Sequence, residues 1–263
     1  MLEDSSTKTL PQPEPRRSRA WATAAVVLLT VIFLYFFSQV VGAAALGIFA
    51  ALQHWNAVQF EAWVTNSVTA QFVYSLIADG LLVGGIVVVM RRLKWRWSTI
   101  GLTAPKIWQL ILGVVAAVPY YFIYILILAV VSVLIPSFNP AQKQDIGFGS
   151  VHGSLSLILT FVSLVILPPI AEEITMRGFL YTGLKKWLPR VVAALAVSLL
   201  FGAAHLAEGG ATGPLWVGAL DTFVLSMVLV TLREATGNLW AGIVLHAVKN
   251  AVAFASIFLI AGR

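Results

Sequence analysis

The 263-residue sequence has no cysteine. That excludes a disulfide framework, a thiol nucleophile and thiolate metal sites. It leaves the redox compartment open, because a bilayer-buried chain needs no disulfides. Charge is the second shortage: charged residues make up 11% and hydrophobic residues 59%, against about 25% and about 45–50% in a soluble globular domain. With a mean hydropathy of +0.90, too few polar groups remain to cover a water-facing surface. A soluble enzyme, a nucleic-acid-binding domain and a disordered regulator are therefore excluded. No 20–50-residue repeat and no alternating strand pattern is present either. The net charge of +6 could suit nucleic acid, but the placement of the basic residues suits a membrane.

What is there is a series of long apolar runs. Residues 1–19 are polar, with Pro11, Pro13 and Pro15 followed by Arg16, Arg17 and Arg19, and read as a disordered basic tail that stops at a membrane surface. Apolar runs then cover about 20–51, 68–90, 107–135, 155–184, 191–206, 215–232 and 239–261. The first is too long for the core of a signal peptide, although Gly42-Ala43-Ala44 leaves a cleavage site as an alternative. Most runs reach the roughly 20 residues that cross a bilayer as helix; the fifth is short and must borrow from its flanks. Lipid offers an open chain no other way to satisfy its backbone. The expected fold is all-α, a polytopic transmembrane helical bundle of about seven spans (six to eight), with 20–263 as one transmembrane domain. The segment 137–153 reads as a polar loop.

The cations orient the bundle. Arg91, Arg92, Lys94, Arg96 and Lys106 follow the second run, Lys185, Lys186 and Arg190 the fourth, and Arg233 the sixth. The alternate loops carry Lys143 and little else. The positive-inside rule then predicts a cytoplasmic N-terminus and a C-terminus on the other side.

Ionisable groups inside the spans are functional candidates by default. They are Asp79, Glu172, Glu173, Arg177, His205, Asp221, His246 and Lys249, with Asn250 as a neutral polar partner. At about 1.5 Å of rise per residue, Glu172 and His246 lie about 20 Å from the cytoplasmic border, His205 about 22 Å and Asn250 about 25 Å. Three helices running in alternate directions thus bring a carboxylate and two imidazoles to nearly one plane. Glu173 and Arg177 are four apart in the favourable acid-first order for an ion pair. Glu172 is rotated about 100° from Glu173, so the two carboxylates need not compete for one partner. Phe201 sits one turn before His205 and can pack beneath its ring.

Such a set can perform hydrolysis. A carboxylate and an imidazole can hold a water and take its proton, while a second imidazole and an amide N–H can stabilise the oxygen of a tetrahedral intermediate. Two histidines and a carboxylate (Glu172, His205, His246) could also complete a three-ligand zinc site. With no His-Glu-x-x-His pair on one helix, water activation that requires no cofactor is favoured. Asp79 and Asp221 could instead line an ion path in a small transporter, and Lys249 could pair with either. His54 and His152 lie near loops and read as solvated.

Three motifs carry a family resemblance. Glu172-Glu173-Ile174-Thr175-Met176-Arg177 has a Glu-Glu-x-x-x-Arg pattern, Phe201 to His205 a Phe-x-x-x-His pattern, and His246 to Asn250 a His-x-x-x-Asn pattern. Together, over about residues 155–255, they resemble the CAAX proteases and bacteriocin-processing enzymes, the family of the Ras-converting CAAX endopeptidase. The resemblance implies an intramembrane endopeptidase acting on a peptide bond that faces the cytoplasm. It further implies that Glu172 and His205 activate water, that His246 and Asn250 form the oxyanion site, and that Glu173 and Arg177 are an orienting pair. The implied partners are membrane lipid and a peptide or protein substrate, prenylated or not, with no nucleic acid. The compact chain looks prokaryotic, a multi-pass protein of the cell membrane. A non-catalytic membrane scaffold or a bacteriocin self-immunity protein is the competing expectation.

Overall fold

The computed structural model describes residues 17–149 and 151–260. Of the expected tail, residues 1–16 lie outside the described residues, and the first helix already begins at Arg17. The elements are α1 (Arg17–Leu52), α2 (Ala57–Asn66), α3 (Val68–Arg92), α4 (Ile107–Leu134), α5 (Gly153–Leu184), α6 (Arg190–Ala204), α7 (Trp216–Thr236) and α8 (Trp240–Ile260). Among the described residues seven helices are long and apolar enough to cross a membrane. The all-α polytopic bundle of about seven spans is therefore what the chain forms. The first apolar run is one unbroken helix. The short fifth span gains its length from a 3-10 turn, His205–Thr212, that continues α6.

These helices are apolar on nearly every side because lipid takes the place of water. Phe33 and Phe36 on α1 and Phe122 and Val133 on α4 are largely exposed, as lipid-facing side chains must be. The buried side is built from small and branched residues. Val27, Val31, Ile86, Phe179, Ala193 and Val197 form the main core between α1, α3, α5 and α6. Tyr120, Leu225, Leu229, Ala241 and Leu245 form a second core between α4, α7 and α8.

The two ends of the bundle differ chemically. At one end lie the cation-bearing segments. Lys185 pairs with Glu234 at 2.5 Å, the Lys186 ammonium sits 3.8 Å from the Trp95 ring centroid, and Leu239 N–H bonds the Gly101 carbonyl at 2.9 Å. Burial against neighbouring chain pushes the Lys186 ammonium below its usual range. At the other end Phe49, Trp55 and Trp63 stack around the α1–α2 turn, with centroids 5.1 to 5.8 Å apart. Aromatic clusters of this kind belong at a membrane–water boundary.

The segment between α4 and α5, expected as a polar loop, has fixed attachments. Asp145 N–H bonds the Glu208 carbonyl at 2.8 Å and Gly149 N–H bonds the Thr65 carbonyl at 3.1 Å. Gln142 donates to the Pro214 carbonyl at 3.1 Å. Phe148 and Val151 pack with Val68, Val165, Phe254 and Phe258. Gly147 adopts φ +78°, a left-handed value that favours glycine, and it sits against the Gln71 amide. This roof spans part of the end of the bundle away from the cations. Neither the roof's anchoring nor the short α2, capped by a reciprocal Asn56–Gln59 box, is visible as a periodic pattern in the sequence.

Candidate active site

The site grows out of α5, where the helix is irregular. Pro168 and Pro169 have no N–H to give to the carbonyls one turn earlier. The chain adjusts with a π-helical turn over Val162–Ile166, closed by Leu167 N–H on the Val162 carbonyl. The Leu164 carbonyl, left without its usual partner, accepts instead from the Asn250 side-chain amide of α8 at 2.9 Å. A second π-helical stretch, Glu173–Leu180, follows at once. Such wide turns are frequent at functional sites. Because the amide of Asn250 stands in for a missing backbone donor, Asn250→Ala is expected to leave Leu164 unsatisfied and to lower stability by about 1–3 kcal/mol. Adding Pro168→Ala, which restores a donor one turn after Leu164, is expected to recover most of that loss in thermal unfolding.

The carboxylates and imidazoles converge. His246 is buried on α8 between two acids: its Nε2 lies 3.6 Å from Glu172 Oε2, and its Nδ1 lies 3.5 Å from Glu173 Oε1. Glu172 and Glu173 project differently from their helix and meet the same ring at different nitrogens, so they do not compete for one atom. Arg177 Nη1 donates to Glu173 Oε1 at 2.8 Å, with both side chains at most 1% exposed. The guanidinium also lies 4.4 Å from the Phe201 ring centroid. Arg177 Nε and Nη2 and Glu173 Oε2 make no hydrogen bond among the described residues. Gly242 permits this arrangement, because a Cβ there would meet Glu173 Oε2 at 2.9 Å.

His205 ends α6. Its Nδ1 lies 2.7 Å from the Phe201 carbonyl. A carbonyl can only accept, so the proton sits on Nδ1 and the Nε2 lone pair is free to take one. That Nε2 faces Glu208 Oε1 at 4.0 Å. Phe201 lies edge-on to both imidazoles, with centroids 4.8 Å from His205 and 5.9 Å from His246, so one ring spaces the pair.

Two adjoining cavities, of about 580 and 220 Å³, share Glu172, His205, Glu208, Pro168 and Ile146 among their linings. The larger extends toward Asp79, Tyr35 and Tyr74 on α3 and α1; the smaller extends toward His246, Asn250, Asp221 and Lys249. Glu172 and His205 stand at the junction, beneath the roof. The four residues expected to act together, Glu172, His205, His246 and Asn250, all line the smaller lobe. Lys249 pairs with Asp221 at 3.0 Å, and Asp221 also accepts from the Tyr120 hydroxyl. Asp221 and Lys249 thus neutralise each other at the edge of the lobe, while Asp79 faces the larger one. His54 and His152 are exposed, away from both lobes.

Glu208 is a site residue that no motif or span pattern singles out: it lines both lobes and accepts from the Gln144 amide at 2.7 Å. The available signal was position: a carboxylate three residues after His205, on the same side of a helical turn. As for zinc, no group of three His, Asp or Glu among the described residues is placed to hold a metal ion. Glu172, His205 and His246 are therefore not gathered as the three-ligand site that the sequence left open.

A multi-span helical bundle with a polar cleft, where acids and imidazoles meet at a proline-broken helix, defines a multi-pass membrane protein with a polar site between its spans. Residues 154–252 match the family described as Type II CAAX prenyl endopeptidase Rce1-like. The match bears out the resemblance drawn from the three motifs and supports a CAAX-type intramembrane endopeptidase; α1 to α4 lie outside it. No curated protein matches, and no solved structure matches.

Proposed function

We propose that the chain hydrolyses a peptide bond within the membrane by means of a water held between Glu172 and His205. The observation that carries this reading is the placement of both side chains at the junction of two cavity lobes, so that an extended peptide lying across the lobes would pass over them. The carboxylate and the free Nε2 lone pair of His205 accept the water's proton and later return it to the leaving amine. His246 donates to the oxygen of the tetrahedral intermediate, with Glu172 and Glu173 fixing its ring from either side. One N–H of Asn250 braces Leu164; the other is available to the same oxygen. Glu173 and Arg177 act as positioning residues, because they touch His246 and Phe201 rather than the cleft.

The reading requires no metal, so cleavage of a fluorogenic peptide by the purified full chain is expected to persist in excess chelator. His205→Ala is expected to lower kcat by about 10²–10⁴-fold with thermal unfolding unchanged. Loss of cleavage in chelator, restored by zinc, would overturn the metal-free mechanism. Full turnover in His205→Ala would overturn the role of His205.

A further inference from the structure

We infer that the cleft opens on the non-cytoplasmic face of the membrane, and that its substrate is a polypeptide segment presented from that side. The inference rests on the proposed hydrolytic reading for its chemistry, but its geometry stands independently. The larger lobe is lined by Thr65, Gln144, Asp145 and Glu208 at its outer limit, and by Val31 and Leu82 at its inner one. Thr65, the 144–148 roof and Glu208 sit at one end of the bundle, knitted together there by the Asp145–Glu208 and Gly149–Thr65 backbone bonds. No residue of 91–106, 185–190 or 233–239 lines either lobe.

Those three excluded segments hold the cations. Arg91, Arg92, Lys94, Arg96, Lys106, Lys185, Lys186, Arg190 and Arg233 fall within them, whereas the segments 53–67, 137–149 and 205–215 together hold one Lys or Arg, Lys143. A nine-to-one bias in short loops fixes the cation-rich end in the cytoplasm. The cleft, which reaches only the opposite end, then faces outward. The cytoplasm-facing bond implied by the family resemblance is the reading this geometry displaces. A substrate anchored in the outer leaflet, or a segment emerging from it, can reach Glu172 and His205; a cytoplasmic chain terminus would have to cross the cation-rich end and the main core.

The absence of native cysteine makes the test direct. Single cysteines are introduced in the full chain as Thr65→Cys at the cleft mouth, Gln53→Cys at the same end, and Ser98→Cys at the cation-rich end; all three positions are exposed. Intact bacterial cells producing each variant are treated with a membrane-impermeant sulfonated maleimide. Labelling of Thr65→Cys and Gln53→Cys in intact cells, with Ser98→Cys labelled at least tenfold less until permeabilisation, is the expected result. Labelling of Ser98→Cys in intact cells overturns the inference, as does failure to label both Thr65→Cys and Gln53→Cys. A fluorogenic peptide added to right-side-out and inverted vesicles gives the second reading, with cleavage expected at least tenfold faster in the former. Absence of cleavage in both, with the labelling as expected, would count against the hydrolytic reading and leave the sidedness intact.

Discussion

Replacing Glu172 with glutamine is expected to lower turnover of a peptide substrate by about 10²–10⁴-fold while leaving the protein folded. Glutamine keeps the size and one acceptor of the carboxylate but cannot take a proton from water. Because Glu172 lies at the cavity junction and its side chain retains 27% exposure, it faces the cleft more than the core, so little packing is lost. The measurement is kcat with a fluorogenic peptide in proteoliposomes, alongside thermal unfolding of the same preparation. A scaffold or immunity protein would keep its cellular phenotype in this variant, whereas a protease loses it. Undiminished cleavage with Gln at 172 would remove Glu172 from the chemistry.

Arg177→Met is expected to have the largest effect on stability of any single change at the site. The guanidinium is fully buried and bonded to a carboxylate that is itself 1% exposed. Removing one partner of such a pair leaves the other charge buried and uncompensated, which costs about 3–5 kcal/mol. Glu173 would then be held near His246 without its counter-charge, and the imidazole would lose its fixed position. Replacing both partners with apolar residues, Glu173→Leu with Arg177→Met, is expected to recover a large part of the lost stability without recovering activity. Thermal unfolding of the single and double variants checks the first effect, and kcat the second. A single variant that unfolds like the parent would show that the pair is not a structural anchor.

Much of this organisation was legible in the residues. The spans followed from apolar runs long enough to cross lipid, and the break between runs three and four fell where α4 ends. The shared depth of Glu172, His205 and His246 could be counted from loop cations, because a membrane helix advances by a fixed rise. That same count placed them about 20–22 Å from the cytoplasmic border, beyond the middle of a hydrocarbon layer about 30 Å thick. What the sequence does not reveal is anything that depends on contact between distant backbones. The roof rests on carbonyls of Thr65 and Glu208, and a hydrogen bond to a main-chain carbonyl leaves no signature in side-chain type. Glu208 was overlooked for the same reason: its role comes from what Gln144 and Asp145 do above it. The convergence of two carboxylates on His246 was hidden because it depends on where α8 sets that ring against two neighbouring side chains of α5.

The roof itself sets a condition on what can be cut. It is fastened to the α1–α3 side through Gly149 and to the α6–α7 side through Asp145 and Gln142, which makes it a lintel and not a swinging door. Under the proposed hydrolysis, a chain entering below it is expected to be narrow and unfolded, so a globular domain at the membrane surface is expected to be a poorer substrate than a slack stretch of polypeptide.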